Sequence, residues 1–454
     1  MADYLAGVGS LPVLAQVRPG EVREQLPPLP PEAGEDLRAV LSDFRDIVIP
    51  GITHWNHPAF FAYFSISGSG PGILGEMLAA ALNVNAMVWR SSPAATELEE
   101  VTLDWLRQLV GLPEGFDGTI NDTASHSVLY ALAAAREVAY PDSHRQGLFG
   151  MPRGRVYASE HAHSSVEKAV LTLGLGQDGY RPIPSDDAFR MRPDALVRAL
   201  EEDAGAGIRP VAVVATQGTT STTSVDPVDA IAPIARDFGA WLHVDAAYGG
   251  PAAIVPELRP LFAGWEQADS VVINPHKWLF TPVDCSVLYC RRPRELVRAF
   301  SIVPEYLRSA ETGKARDLMD YGVALGRRFR SLKLWFVLRY FGREGIVANL
   351  REHVRIARAF AGWVGAEEGW SLAAPVPFSL VCFRRVLPDA SDEACDALNQ
   401  RILDRVNGSG ETFLTSTRLY GRLVLRLAIG NVKTTEAHVA RAWELLREAA
   451  RAEG

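Results

Sequence analysis

Long apolar runs are missing from this chain. No uninterrupted hydrophobic stretch reaches the roughly 20 residues that cross a bilayer, and Met1-Ala2-Asp3-Tyr4 shows no basic region leading a hydrophobic one. A soluble, cytoplasmic protein is expected. Cysteine is scarce: Cys285, Cys290, Cys382 and Cys395 lie in or near apolar runs, with neither zinc-site spacing nor the density of a disulfide framework, and read as reduced core residues. Excess positive charge is absent too. The net charge is −8, and no long single-sign block occurs, which argues against nucleic acid or an anionic membrane as partner. Repeats and low-complexity tracts are also lacking.

What remains is a chain of 454 residues, too long for one ordinary core, so a large domain and a smaller one are expected. Residues 1–69 combine a proline-rich piece at 26–31 with a helix over 35–47; they have little core of their own and must lie on something else, such as another subunit. Residues 70–346 alternate buried strands with helices, the pattern of an α/β domain with a mostly parallel sheet covered on both faces. Residues 347–454 read as a smaller α+β domain.

The richest stretch is residues 271–280, Val-Val-Ile-Asn-Pro-His-Lys-Trp-Leu-Phe. Three branched apolar residues make a buried strand, Asn274-Pro275 ends it, and Lys277 follows at the exit. Ligands of open α/β sheets sit outside the carboxyl ends of strands, where desolvation lowers a lysine's pKa and makes it a nucleophile. The plainer reading is a lysine emerging into water. One strand and its crossover upstream, Trp241-Leu242-His243-Val244-Asp245-Ala246-Ala247 ends on an acid. An amine and an acid at neighbouring strand ends match the two needs of pyridoxal phosphate, a Schiff base and a partner for the pyridine nitrogen.

Other segments are two-sided. Thr123, Ala124 and Ser125 lie just before a helix expected over 128–140, and serve either as a phosphate seat or as ordinary caps. The aromatics from Trp55 through Tyr63 and Phe64 are a packing cluster or a pocket wall. His161 and His163 resemble a chelate, but no cysteine or carboxylate set converges on them, so no metal is expected; a histidine at a strand end can instead stack on an aromatic cofactor. Gly174-Leu175-Gly176-Gln177-Asp178-Gly179 matches a dinucleotide fingerprint, yet it follows a helix rather than a strand and reads as a helix stop and turn.

Taken in order, Ser-Pro-Ala-x-Thr-Glu-Leu-Glu, Ala-His-Ser-Ser-Val-Glu, His-Val-Asp-Ala-Ala-Tyr, Asn-Pro-His-Lys-Trp and Leu-Gly-Arg-Arg-Phe-Arg-Ser-Leu-Lys resemble the aromatic L-amino-acid decarboxylases, the group II pyridoxal-phosphate decarboxylases. The resemblance runs from about residue 52 to the C-terminal helix. It implies the type I fold of pyridoxal-phosphate enzymes, as a homodimer with the N-terminal segment laid over its partner. It assigns Lys277 to the Schiff base, Asp245 to the pyridine nitrogen, His163 and Ala247 to the two ring faces, and Thr123, Ala124 and Ser125 to the phosphate. Thr220, Asn274 and His276 complete the cofactor shell, and Trp55, Tyr63 and Phe64 match substrate-pocket positions. The implied reaction is decarboxylation of an aromatic L-amino acid to its amine.

Two departures qualify that expectation. The loop tyrosine credited in such enzymes with returning a proton to Cα falls on Leu318, leaving Tyr321, His163 or a water as donor. Loss of that phenol goes with an aldehyde-forming outcome, the alternative activity; an aminotransferase is a more distant one. The wall supplied by the partner subunit falls on Asn85 and Met87, and Ser65-Ile66 replace a Pro-Thr pair, so the threonine that receives a catechol is missing. Ser379, at a position that varies between phenolic and indolic specificity, favours tyrosine-like substrates.

Overall fold

The computed structural model describes residues 2–302 and 315–453. Its larger sheet has seven strands: β1 (Asp117–Asn121), β2 (Gly154–Ser159), β3 (Tyr180–Ile183), β4 (Arg209–Thr216), β5 (Trp241–Asp245), β6 (Ser270–Ile273) and β7 (Ser286–Cys290). They lie in the order β1-β7-β6-β5-β4-β2-β3. β3, β2, β4, β5 and β6 are mutually parallel, whereas β7 runs antiparallel to both β6 and β1. Every residue of β5, β6 and β7 is buried, as strands covered on both faces must be, which is why they read as continuous apolar runs. The helix Ala124–Ala139 packs its alanine-rich face onto this sheet, with Val128, Ala131, Leu132, Ala134 and Ala135 in the core beside Val156, Val214 and Val272.

This order has one consequence for function. Because β7 is reversed, the carboxyl ends of β1, β2, β4, β5 and β6 all open on the same edge of the sheet. The expected parallel sheet is therefore present, with β7 as its exception.

The described chain divides into two compact units. One comprises residues 66–354 and 374–378 and contains the seven-stranded sheet; the other comprises 1–65, 355–373 and 379–454. The second unit is built on an antiparallel sheet, β10 (Thr415–Leu419), β11 (Arg422–Ala428), β9 (Leu380–Arg385) and β8 (Trp370–Leu372) in that order. Within it the N-terminal residues are tied to the C-terminal ones: the Phe61 amide donates to Phe413 O at 2.9 Å, and the Ala428 amide to Phe61 O at 3.0 Å.

Several boundaries differ from those expected. The helix after β1 begins at Ala124, four residues early, because Asn121 and Asp122 already belong to the strand exit and Thr123 can serve as N-cap. Residues 325–330, which read as the opening of a helix, stay outside it: the helix begins at Ser331 and breaks at Gly342, where φ is +58°, before a second helix runs on to Ala366. The N-terminal helix is shorter, Leu37–Asp43, followed by a π turn at Phe44–Val48. Residues 305–320, polar and carrying glycine and both charge signs, read as a long loop; those up to 314 lie outside the described residues, and beyond them Leu318–Tyr321 form a 3-10 turn. Gly174 and Gly176 adopt φ of +78° and +73° after the helix Ser165–Thr172, the conformation of a helix stop.

Candidate active site

Lys277 sits in the short helical turn Pro275–Trp278 that follows β6. Its amide donates to Asn274 O at 3.0 Å, and the Asn274 amide donates to Ala247 O at 3.1 Å, so the turns after β5 and β6 are stitched together. Stacking adds to this: the rings of Tyr248 and Trp278 lie 5.0 Å apart and 5° from parallel, and Trp278 Nε1 donates to His353 Nδ1 at 3.0 Å. Nothing in the sequence spacing reveals that pair, since each ring reads alone as ordinary core.

Asp245, at the last position of β5, is only 5% exposed. Its Oδ1 accepts from the Ala247 amide at 3.1 Å, which fixes the carboxylate at the strand end. The Lys277 ammonium is pulled below the ordinary lysine pKa by burial, with Asp245 opposing the shift. His163, after β2, is also held below its usual value, first by burial and then by the charge of Lys277, with Asp245 again opposing. Lysine, aspartate and histidine thus act on one another electrostatically although 114 residues of sequence separate the outermost two. The His163 ring is steadied by Ser165, whose amide donates to Nδ1 at 3.1 Å.

The first turn of the helix Ala124–Ala139 is open. Thr123 occupies the N-cap position without capping the helix through its side chain, and Ser125 is exposed. Asp122 takes part of the local donor set: its Oδ1 lies 2.5 Å from both the Thr123 amide and His126 Nδ1. Thr220 lies exposed just beyond β4. His276 is buried, and its pKa falls to about 3, chiefly through desolvation. Among the described residues, the buried Asn274 Oδ1 has no hydrogen-bond partner. A partly buried amine, a buried acid, an open helix start and an orphaned carboxamide suit a phosphorylated pyridine aldehyde.

The proposed substrate residues are divided. Trp55, Tyr63 and Phe64 belong to the unit containing the N-terminus, where Trp55 stacks on Tyr63 at 5.5 Å and Arg426 lies over Phe64. Ser379, in the same unit, donates its hydroxyl to Ile429 O at 2.6 Å. Asn85 and Met87 belong to the sheet-containing unit: Asn85 Oδ1 accepts from the Arg327 amide at 2.8 Å, and Met87 O from the Met319 amide at 2.9 Å. Leu318 is 1% exposed and lines a cavity of about 370 Å³ with Asp122, His126, Tyr130 and Tyr321. The Tyr321 hydroxyl donates to Asp117 Oδ2 at 3.4 Å at the start of β1, the end away from Thr123, and its ring lies under Arg316.

A charged scaffold that sequence reasoning missed supports this edge. Arg327 is buried against Glu99, with Nη2 donating to Glu99 Oε1 at 2.9 Å and to Ile120 O at 2.6 Å. Arg330 grips Asp284 through two bonds of 3.0 Å. The only available signal was the density of arginine in residues 325–333.

Comparison with known proteins agrees with this geometry. Residues 19–386 match the pyridoxal-dependent decarboxylase conserved domain. The chain is 41% identical to a phenylacetaldehyde synthase of Arabidopsis thaliana, over 99% of its own length and 93% of the relative's. It is also 41% identical to the aromatic-L-amino-acid decarboxylase of Sus scrofa, over 98% and 93%. The crystal structure of Oryza sativa TDC with PLP and tryptamine superposes with a TM-score of 0.96 at 38% identity, covering 99% of this chain and 95% of that one. The chain belongs to the group II pyridoxal-phosphate-dependent decarboxylases, with the type I fold. It is a carboxy-lyase that uses pyridoxal phosphate.

Proposed function

We propose that the protein removes the carboxyl group of an aromatic L-amino acid, with tyrosine-like substrates preferred and the amine and carbon dioxide as products. The observation that carries this reading is the electrostatic cluster of Lys277, Asp245 and His163, which lie at the carboxyl ends of β6, β5 and β2 on one edge of the sheet. Bound pyridoxal phosphate supplies a protonated pyridine ring that withdraws electrons from the substrate's Cα. Lys277, its ammonium destabilised by burial, would hold the cofactor covalently through Nζ. Asp245 keeps the proton on the pyridine nitrogen. His163 and Ala247 flank the ring. Thr123, Ala124 and Ser125 receive the phosphate, and Thr220, Asn274 and His276 complete the cofactor shell. Trp55, Tyr63 and Phe64, joined by Asn85 and Met87 of a second copy, receive the aromatic side chain.

The homodimer is part of this proposal. What supports it is apolar surface left uncovered on one chain: Leu37, Leu41 and Phe44 of the N-terminal segment and Leu74, Met77 and Leu82 of the helix Gly70–Leu82 are all at least 46% exposed. A cytoplasmic location is supported by four buried free thiols.

A second reading has its own observation. Leu318 is buried and has no proton to give, and Tyr321 engages Asp117. Without a phenol to return the proton to Cα, dioxygen and water convert the amino acid to aldehyde, carbon dioxide, ammonia and hydrogen peroxide. Aerobic incubation with tyrosine, phenylalanine, tryptophan and DOPA, following amine, aldehyde and peroxide together, separates the two. Amine without peroxide supports the decarboxylase; aldehyde with matching peroxide supports the second reading, and no consumption of any of the four overturns both.

A further inference from the structure

His276 and Asn274 pose a hydrogen-bonding conflict whose resolution assigns each a state. The Cys285 amide donates to His276 Nδ1 at 2.8 Å, so Nδ1 carries no proton. A neutral ring then carries its proton on Nε2. Yet Nε2 lies 3.3 Å from Asn274 Nδ2, also a donor, while the buried Asn274 Oδ1 has no partner among the described residues. Two facing donors and an orphaned acceptor on one side chain are cured together by turning the carboxamide through 180° about Cβ–Cγ. Oδ1 then accepts from Nε2–H, and the NH2 takes the position away from His276.

We infer that His276 is a positioning residue: the Cys285 amide locks it as the neutral Nε2–H tautomer, and it holds Asn274 with the carboxamide NH2 presented as a donor to the bound cofactor. The inference rests on the cofactor assignment made above. The backbone makes the lock hard to slip, since the His276 amide also donates to Cys285 O at 3.3 Å and gives a two-bond clamp across the turn and the start of β7. Burial keeps the ring neutral. Of the charges around it, Lys277 and Lys333 oppose protonation, and Asp284 and Asp122 favour it too weakly to overcome desolvation. Asp284 is itself committed to Arg330. The donor therefore stays in place across the pH range in which a free histidine would switch.

The direct test is nitrogen NMR of 15N-histidine-labelled protein without and with pyridoxal 5′-phosphate, the His276 signals being assigned by their loss in His276→Gln. The expected result is a non-protonated Nδ1 and a protonated Nε2 that do not titrate between pH 5 and 9. An Nδ1–H tautomer, or a ring that titrates near pH 6 to 7, overturns the inference, and this readout on the cofactor-free protein does not depend on the proposed reaction. The second arm measures pyridoxal-phosphate affinity from the cofactor's absorbance. His276→Gln keeps a donor at the Nε2 position and should bind within about threefold of the parent. His276→Asn keeps only the acceptor for Cys285 and should lose about tenfold, the equivalent of one neutral buried hydrogen bond. Asn274→Asp, which replaces the NH2 by oxygen, should lose at least as much. Equal losses in His276→Gln and His276→Asn would make the histidine merely structural and overturn the inference. Failure of the parent protein to bind pyridoxal phosphate would instead sink the cofactor assignment.

Discussion

Replacing Arg327 by methionine should unfold the protein more than any other single change at the site's edge. Arg327 is 9% exposed and its partner Glu99 2%. Arg327 supplies Glu99 with two hydrogen bonds, of 2.9 and 3.3 Å, and caps Ile120 O at 2.6 Å, while Glu99 Oε1 also accepts from the Ile120 amide at 2.9 Å. Methionine fills a similar volume but leaves a carboxylate buried beside β1 with one amide for company. Breaking a buried pair from one side costs about 3–5 kcal/mol, against a total stability of about 5–15 kcal/mol. The main-chain bonds of Arg327 to Asn85 and Ala86 survive, so the loss should appear in stability first. The assay is urea unfolding at fixed protein and cofactor concentration, applied to Arg327→Met, Glu99→Gln and the double variant. The carboxamide introduced by Glu99→Gln still accepts from the Ile120 amide and carries no charge, so the double variant should recover about 2 kcal/mol of the loss. A cost for Arg327→Met below about 1 kcal/mol, or simple additivity in the double variant, would show that the pair is not the clamp described.

Lys277→Ala should abolish turnover and the cofactor's lysine-bound absorbance while leaving circular dichroism unchanged; normal activity would remove Lys277 from the site. Asp245→Ala should weaken pyridoxal-phosphate binding by about ten- to a hundredfold, as expected for loss of a charge-assisted bond, and unchanged binding by absorbance titration would contradict its pairing role. Leu318→Tyr should raise the amine share of product and lower peroxide, unless another group already returns the proton. Stability should fall as pH drops below about 6.5. His276 and His243 are held neutral in the folded chain, with pKa values near 3 and 4, so the unfolded chain binds more protons between those values and 6.5. Each contributes about 1.4 kcal/mol per pH unit in that window. His243→Phe should remove one proton's worth of slope from urea midpoints measured between pH 4.5 and 6, and an unaltered slope would refute the assignment.

The residues proposed to bear the reaction were legible because each lies at or just beyond a strand end. Asp245 and Lys277 stand at the ends of apolar runs, and the rule that ligands gather at carboxyl ends needs no tertiary information. The reversal of β7 was not legible, since Ser286–Cys290 is as apolar as its parallel neighbours and direction leaves no trace in a five-residue run. Nor were the clamps: Glu99 with Arg327, Asp284 with Arg330, and Cys285 with His276 join residues far apart or hidden in the backbone. The helix start at Ala124 was placed late because Ala-Ser-His-Ser looks like a loop, although its amides are the ones an anion needs. Tyr321 shows a different limit. Its type suits a proton donor, but only coordinates reveal that its hydroxyl faces Asp117.

The place of β1 at the sheet's border also bears on how the chain is made. Among the described residues β1 pairs with β7 alone, Asp117 opposite Cys290, and that neighbour is translated roughly 170 residues later. At about 5–20 residues per second, a ribosome needs on the order of 10–30 s to deliver it. During that interval β1 has no strand partner, whereas the helix Ala124–Ala139 can already dock, since Val156, Val214 and Val272 are made before β7. Nascent chains stalled before and after residue 290 should differ sharply in protease resistance at residues 117–121, while residues 124–139 should change little.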